Sequence, residues 1–161
     1  MIDSATAFRS TEPMDKPMTH RDPRLAAWST FLRAHARVVR ELERELQAEQ
    51  DMALTDYDVL VQLSVAGERR LRMSELADRL LLSRSGVTRL VDRLVAAGLV
   101  ERVTCDSDRR GQWAALTEAG YDRLRRASPT HLRGVAAHFL DRLPPEDLAS
   151  LERMLAPVID D

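Results

Sequence analysis

A single cysteine, Cys105, excludes an intrachain disulfide in this chain of 161 residues. Lysine is nearly missing: 23 of the 24 basic residues are arginine and only Lys16 is not, which we read as the coding bias of a GC-rich genome. No apolar run approaches the ~18 residues of a membrane span. Met1–Pro23 carries no apolar h-region of the kind that makes a secretory leader. A cytoplasmic protein that makes no use of a membrane is the expectation. A glycine-rich phosphate loop, a GxSxG nucleophile elbow and an obvious nucleophile–base pair are also absent, so no enzyme is expected. His131 and His138, seven residues apart, share a helix face, and His35 can meet them across a dimer region; His20 is the fourth histidine. Neither HExxH nor CxxC occurs, so neither a metal nor a cofactor is expected.

What is present is an ordinary globular composition, 44% hydrophobic, at the length of one typical domain. The formal net charge of −2 conceals an asymmetry. Residues 69–110 hold ten arginines against six acids, a local +4, whereas the remainder sums to −6. A basic middle between acidic ends suits a local surface for phosphates on an otherwise repulsive body.

Residues 1–22 lack periodicity and read as a disordered tail. From Pro23, apolar residues at Leu25, Trp28, Phe31, Leu32, Val38, Val39, Leu42 and Leu46 mark one amphipathic helix to about Glu49. A second helix is expected from Thr55 as N-cap, with Asp56 and Asp58 near its positive end. Ser74 is expected to cap a helix over 75–81, and Ser83 another over 84–97, closed by Gly98. Two short helices so closely joined are helix-turn-helix punctuation. The stretches 99–103 and 112–116 around the charged turn 105–111 read as a β-hairpin wing. Thr117 caps a further helix, in which Ser128-Pro129 predicts a kink or break. Pro144-Pro145 ends it before a last short helix.

This order of elements, and the run MSELADRLLLSRSGVTRLVDRLVAAGLVERVTCDSDRRGQWAALTEAG from Met73 to Gly120, resembles the multiple-antibiotic-resistance regulator (MarR) family. The hallmark is Asp108-Arg109-Arg110 followed by Leu116-Thr117-Glu118-Ala119-Gly120. The resemblance covers roughly residues 24–157. It implies a mainly α fold: a winged helix-turn-helix with a small β-hairpin wing, and N- and C-terminal helices forming a dimerisation region. The corresponding division is a tail 1–22, a dimerisation helix 23–50, a DNA-binding lobe 51–116 and C-terminal dimerisation helices 117–158.

On the helix from Arg84, the positions Val87, Leu90, Val91 and Leu94 share an apolar face. The opposite face presents Ser85, Thr88, Arg89 and Asp92, with Ser83 and Arg84 at its start. An α-helix fits the major groove, and an arginine fork matches guanine O6 and N7. In the wing, the resemblance gives Arg110, helped by Arg109, the minor-groove contact and Asp108 a supporting role; a narrow minor groove attracts arginine through its enhanced negative potential. The partners expected are double-stranded DNA with a pseudopalindromic operator, a second copy of the chain, and a small-molecule effector. The rival reading is a winged helix used as a protein-interaction module without specific DNA binding.

The apolar stripes of the terminal helices (Leu25, Trp28, Phe31, Leu132, Val135, Phe139, Leu148, Leu151 and Leu155) are too extensive for one small lobe to cover, and are assigned to a dimer interface. The family implies effectors that are small, often aromatic or phenolic, anions. A urate-responsive branch suggests Trp28, His35, Asp58, Arg89 and Arg102 as a pocket. The plainer account makes Trp28 interface core and Asp58 a helix-start residue. Cys105 lies among acids that disfavour a thiolate and arginines that favour it, and is read as incidental.

Overall fold

The computed structural model of the chain describes residues 19 and 22–159, apart from 106 and 107; the side chains of 104–111 are likewise outside the described set. Nearly all of the tail 1–22 lies outside it. The elements in order are α1 (Leu25–Gln50), α2 (Leu54–Ser64), β1 (Arg70–Arg72), α3 (Met73–Arg79), α4 (Arg84–Ala96), β2 (Val100–Cys105), β3 (Asp108–Leu116), α5 (Glu118–His138) and α6 (Pro145–Ile159). The fold is mainly α, with one small antiparallel sheet of order β1-β3-β2.

Two compact units divide the chain inside α1, at residues 35 and 36. In the first, the start of α1 exposes Trp28 and Phe31, which stack at 6.1 Å, and Phe31 stacks on His35 at 6.3 Å. The second unit contains the core. Leu42 and Leu46 from the end of α1 join Leu54, Val59, Leu60 and Leu63 of α2, Leu76 of α3, and Val87, Val91 and Leu94 of α4. Leu124 and Ala127 of α5 and the sheet residues Leu71, Val100, Ala114 and Leu116 complete it. Each large aliphatic side chain withdrawn from water contributes about 1.5–3 kcal/mol before entropy is counted.

Local signals account for most helix ends. Ser83 Oγ accepts the backbone N–H of Gly86 at 3.1 Å, and Thr117 Oγ1 accepts that of Gly120 at 3.0 Å, each supplying a partner to an orphan donor of the first turn. Gly98 takes φ +72°, as a residue just past a helix end does. Two expected caps are corrected. Helix α2 begins at Leu54, with Ala53 at the N-cap and Thr55 already inside. The Glu43 carboxylate receives the Leu54 N–H at 2.7 Å, so a neighbouring helix does what Thr55 was expected to do. Helix α3 begins at Met73, with Ser74 in its first turn; Glu75 accepts the Arg72 N–H at 3.2 Å.

The predicted break at Ser128-Pro129 does not occur, and α5 runs unbroken to His138. An interior proline costs a helix about 3 kcal/mol through its missing N–H and its clash with the preceding turn. Tertiary contacts outweigh that cost here. Leu124, Ala127, Thr130 and Gly134 are buried along one side, and Thr130 bonds Gln50 and Glu49 at 3.1 Å each. Arg133 pairs with Glu49 at 2.5 Å and His138 with Glu45 at 2.7 Å. Gly134 allows the close approach, since a Cβ there would lie 2.7 Å from Leu42 Cδ2. Strand β1 was also not anticipated; its three residues pair with 113–115 of β3 and extend the hairpin to three strands.

The Leu-Thr-x-x-Gly sequence acts as a joint. Thr117 Oγ1 donates to Gly98 O at 2.8 Å while accepting from Gly120, and a Cβ on Gly120 would sit 2.0 Å from Leu99 O. Backbone cannot yield that distance cheaply, so Gly120→Ala is expected to destabilise the fold by at least about 2–3 kcal/mol, read as a lowered denaturation midpoint in urea. The opposite sign is expected at Leu81. It holds φ +52° in the turn before α4 with its side chain 92% exposed, so it carries strain and returns no burial. Leu81→Gly is expected to raise stability by a few tenths to about 1 kcal/mol in the same assay, the relief of a left-handed side chain exceeding glycine's entropy cost.

Candidate nucleic-acid interface

Helix α4 is partitioned as its periodicity predicts. Val87, Leu90, Val91 and Leu94 are buried, whereas Ser83, Arg84, Ser85, Thr88, Arg89 and Asp92 are exposed. Its short polar side chains are partly committed locally. Ser83 Oγ caps the helix and lies 3.2 Å from Ser85 Oγ, and the Thr88 hydroxyl donates to Arg84 O at 2.8 Å. Among the described residues no carboxylate pairs with Arg84 or Arg89. Two neighbouring basic groups are engaged, Arg93 with Asp56 at 2.6 Å and Arg102 with Asp92 at 2.7 Å, whereas Arg79 at the end of α3 is exposed. Among the described residues, the cations left for a polyanion here are Arg84 and Arg89 on α4 and Arg79 at the end of α3.

The hairpin that follows has its register set by Val100↔Leu116, Arg102↔Ala114 and Thr104↔Gln112, with an irregularity between Thr104 and Cys105. Asp108, Arg109 and Arg110 open β3. Their side chains, and that of Cys105, lie outside the described residues. At the inner end, Trp113 has the Arg70 and Arg72 guanidinium groups 5.5 and 5.2 Å from its ring centroid.

The five residues suggested for an effector pocket fall into different settings. Trp28 and His35 belong to the exposed aromatic row of α1. Asp58 is half-buried on α2, and Arg89 is exposed on α4. Arg102 already serves two acceptors, Asp92 and Gln112 Oε1, the latter at 3.1 Å. Sequence reasoning missed Gln112 and this bonding. Strand alternation was the available signal, because it places Arg102 on the same face as the buried Val100 and hence toward the helices. Asp58 is not simply a helix-start residue either. Burial, reinforced by the nearby Glu43 carboxylate, pushes its pKa up to about 6. Among the described residues no group of three or more metal-ligating side chains is gathered, and no helix is long and apolar enough to cross a membrane.

Of the residues assigned to an interface, Trp28 is 57% exposed, Phe31 44% and Leu132 62%. Leu25, Phe139, Leu148, Leu151 and Leu155 are half-buried, and Val135 packs partly against the chain's own core. Helix α6 has no fully buried residue.

A family model described as the MarR family matches residues 50–111. The chain is 38% identical to AbsC, a MarR family transcriptional regulator from Streptomyces coelicolor, over 89% of this chain and 95% of that one, with a TM-score of 0.80. It is likewise 38% identical to Sco3205, a MarR family regulator from the same organism solved in complex with DNA; 89% of this chain and 90% of that one are covered, at a TM-score of 0.82. An uncharacterized HTH-type transcriptional regulator of Bacillus cereus is 28% identical over 118 residues, which is 73% of this chain and 77% of the relative.

The Asp58 carboxyl gives a pH test. Its folded value, about 6, lies above the ordinary 3.8, so the native state holds the proton more tightly than the unfolded chain. Stability from this group is therefore full below pH 3.8 and is lost as pH rises through 6. Asp58→Asn is expected to raise the melting temperature at pH 8, with the gain shrinking toward zero near pH 4. An equal gain at both pH values would show that its carboxylate is not the destabilising species.

Proposed function

The chain belongs to the MarR family of transcriptional regulators, and from this we propose that it acts as a homodimer on a pseudopalindromic operator, repressing transcription until a small aromatic or urate-like anion releases it. The observation that carries the reading is the exposed face of α4, where Arg84 and Arg89 lack carboxylate partners among the described residues while the reverse face is buried. Arg84, Ser85, Thr88 and Arg89 then address base edges and phosphates in the major groove, with Ser83 at the helix start. Arg110, helped by Arg109, enters the adjacent minor groove, and Asp108 shapes the wing; that part rests on the sequence pattern.

We assign residues 51–116 to the DNA-binding lobe, and 23–50 with 117–158 to dimerisation. Exposed apolar side chains on α1, α5 and α6, among them Trp28, Leu132 and Met154, support a second copy as their cover. A two-fold dimer matches half-sites one helical turn apart. For the effector, the residues the resemblance suggests are Trp28, His35, Asp58, Arg89 and Arg102, the last already bonded to Asp92 and Gln112.

Genomic fragments selected on the purified protein, then titrated at several salt concentrations, test the reading. Specific binding to a pseudopalindrome is expected, with log K falling by about 0.9 per neutralised phosphate for each decade of salt. Arg110→Ala is expected to weaken operator binding at least ~10-fold, about 1.4 kcal/mol, with the dimer intact. Arg84→Ala is expected to cost roughly 1–3 kcal/mol and to relax preference at one base pair of each half-site. Affinity unchanged in both variants would favour a winged helix that serves another protein.

A further inference from the structure

Asp92 is an odd residue to find on the exposed face of α4. It is the only acid on that helix, it follows Thr88 and Arg89 by four and three positions, and a carboxylate there opposes the approach of a polyanion. The side chain that accounts for it is Arg102 of β2. One guanidinium nitrogen donates to Asp92 Oδ1 at 2.7 Å, and a second donates to Gln112 Oε1 of β3 at 3.1 Å. A single planar fork thus ties the helix to both strands of the hairpin. Lysine has no such geometry.

Where the fork sits matters. Below it the hairpin rests on buried apolar residues, Val100, Ala114 and Leu116. Above it, past Gln112, the strands run out toward the tip carrying Arg109 and Arg110. The bonds of Arg102 therefore act where the apolar footing ends, at the place where a hairpin would otherwise pivot against α4. As a contribution to folding, the pair is small, since Asp92 is 59% and Arg102 30% exposed and exposed pairs add little. Its geometry is the consequential part.

We propose that Arg102 is a positioning residue for DNA reading: with Asp92 and Gln112 it forms a clamp that holds the wing at a set offset from α4, so that one protomer addresses a major groove and the neighbouring minor groove together. This rests on the DNA-binding reading above, and the wild-type protein reports on that reading separately.

The test is a double-mutant cycle on the full chain, Asp92→Ala, Arg102→Ala and both together, titrated on the selected operator and on a scrambled duplex over a range of salt. Wild type is measured first; if it shows no preference for the operator, the DNA reading fails and the clamp falls with it. Given that preference, each single variant is expected to weaken operator binding roughly five- to tenfold, and the double variant no more than the worse single one, because coupled residues are not additive. Binding to the scrambled duplex, the salt slope and the melting temperature should stay near wild type. The proposal is overturned if Arg102→Ala weakens both duplexes and lowers the slope by about 0.9 while Asp92→Ala tightens binding, which is the behaviour of a direct phosphate contact. Operator affinity unchanged in all three variants overturns it equally.

Discussion

The contact on which the rest of the structure depends is the seat of α5 against the turn between α4 and β2. Gly98, in the left-handed region, ends one turn of chain; Leu99 presents its carbonyl; Thr117 bonds to both residues, and Gly120 leaves no space above that carbonyl. Three elements leave this point: α4 behind, the hairpin ahead and α5 beyond. Because the last rung of the hairpin, Val100↔Leu116, lies one residue from the joint on each strand, the hairpin register and the start of α5 are set together. A displacement of any one of the three would break the Thr117 bonds or drive side chains into the Leu99 backbone. Helix α4, the hairpin and the long helix α5 are thereby referred to one small joint.

Much of this was legible in the residues, because the signals are local. Ser83 and Thr117 each stand three residues before a backbone N–H they receive, and the face of α4 follows from a period of 3.6. The Ser74 misreading is itself local, since Glu75 takes the Arg72 N–H, but the other misreadings have causes farther along the chain. Thr55 looks like a cap until Glu43, eleven residues before Leu54, takes the N–H at the helix start. Pro129 looks like a break until α1 is placed beside it, with Glu49 and Gln50 reaching Thr130 across some eighty positions. Arg70–Arg72 has no strand pattern of its own and becomes a strand only because β3 offers an edge. Arg102 and Gln112 are silent in the sequence for the same reason, since their partnership depends on hairpin register.

Charge shows a second layer that composition hides. The arginine-rich middle of the chain is not a uniform cationic surface. Arg69 bonds Glu118 at 2.9 Å and lies over the Tyr121 ring at 4.0 Å, Arg70 pairs with Glu68, Arg93 with Asp56, and Arg102 with Asp92. These pairs are mostly exposed and contribute little individually to folding. Their effect is subtractive, because each removes a guanidinium from general attraction to phosphate. Among the described residues of this stretch, Arg79 at the end of α3 and Arg84 and Arg89 on α4 are the exposed arginines without an ion pair.

The last helix is covered less than the core helices. A helix of 15 residues is marginal alone in water, because nucleation is costly and propagation adds little per residue. Helix α6 nevertheless spans Pro145–Ile159 with no fully buried residue, and Met154, Val158 and Ile159 are 66–81% exposed. The Pro145 start and the acids Glu146 and Asp147 in the first turn favour the helix end, while the exposed apolar side chains return no burial. What burial α6 has comes from Leu148, Leu151 and Leu155, which this chain covers only in part. Trp28, Phe31 and Leu32 on α1 are likewise exposed, as are Val65 after α2 and Leu81 before α4. The contrast lies within the chain: α2, α3 and α4 bury their apolar faces in one core, whereas the start of α1 and the outer side of α6 leave theirs in solvent.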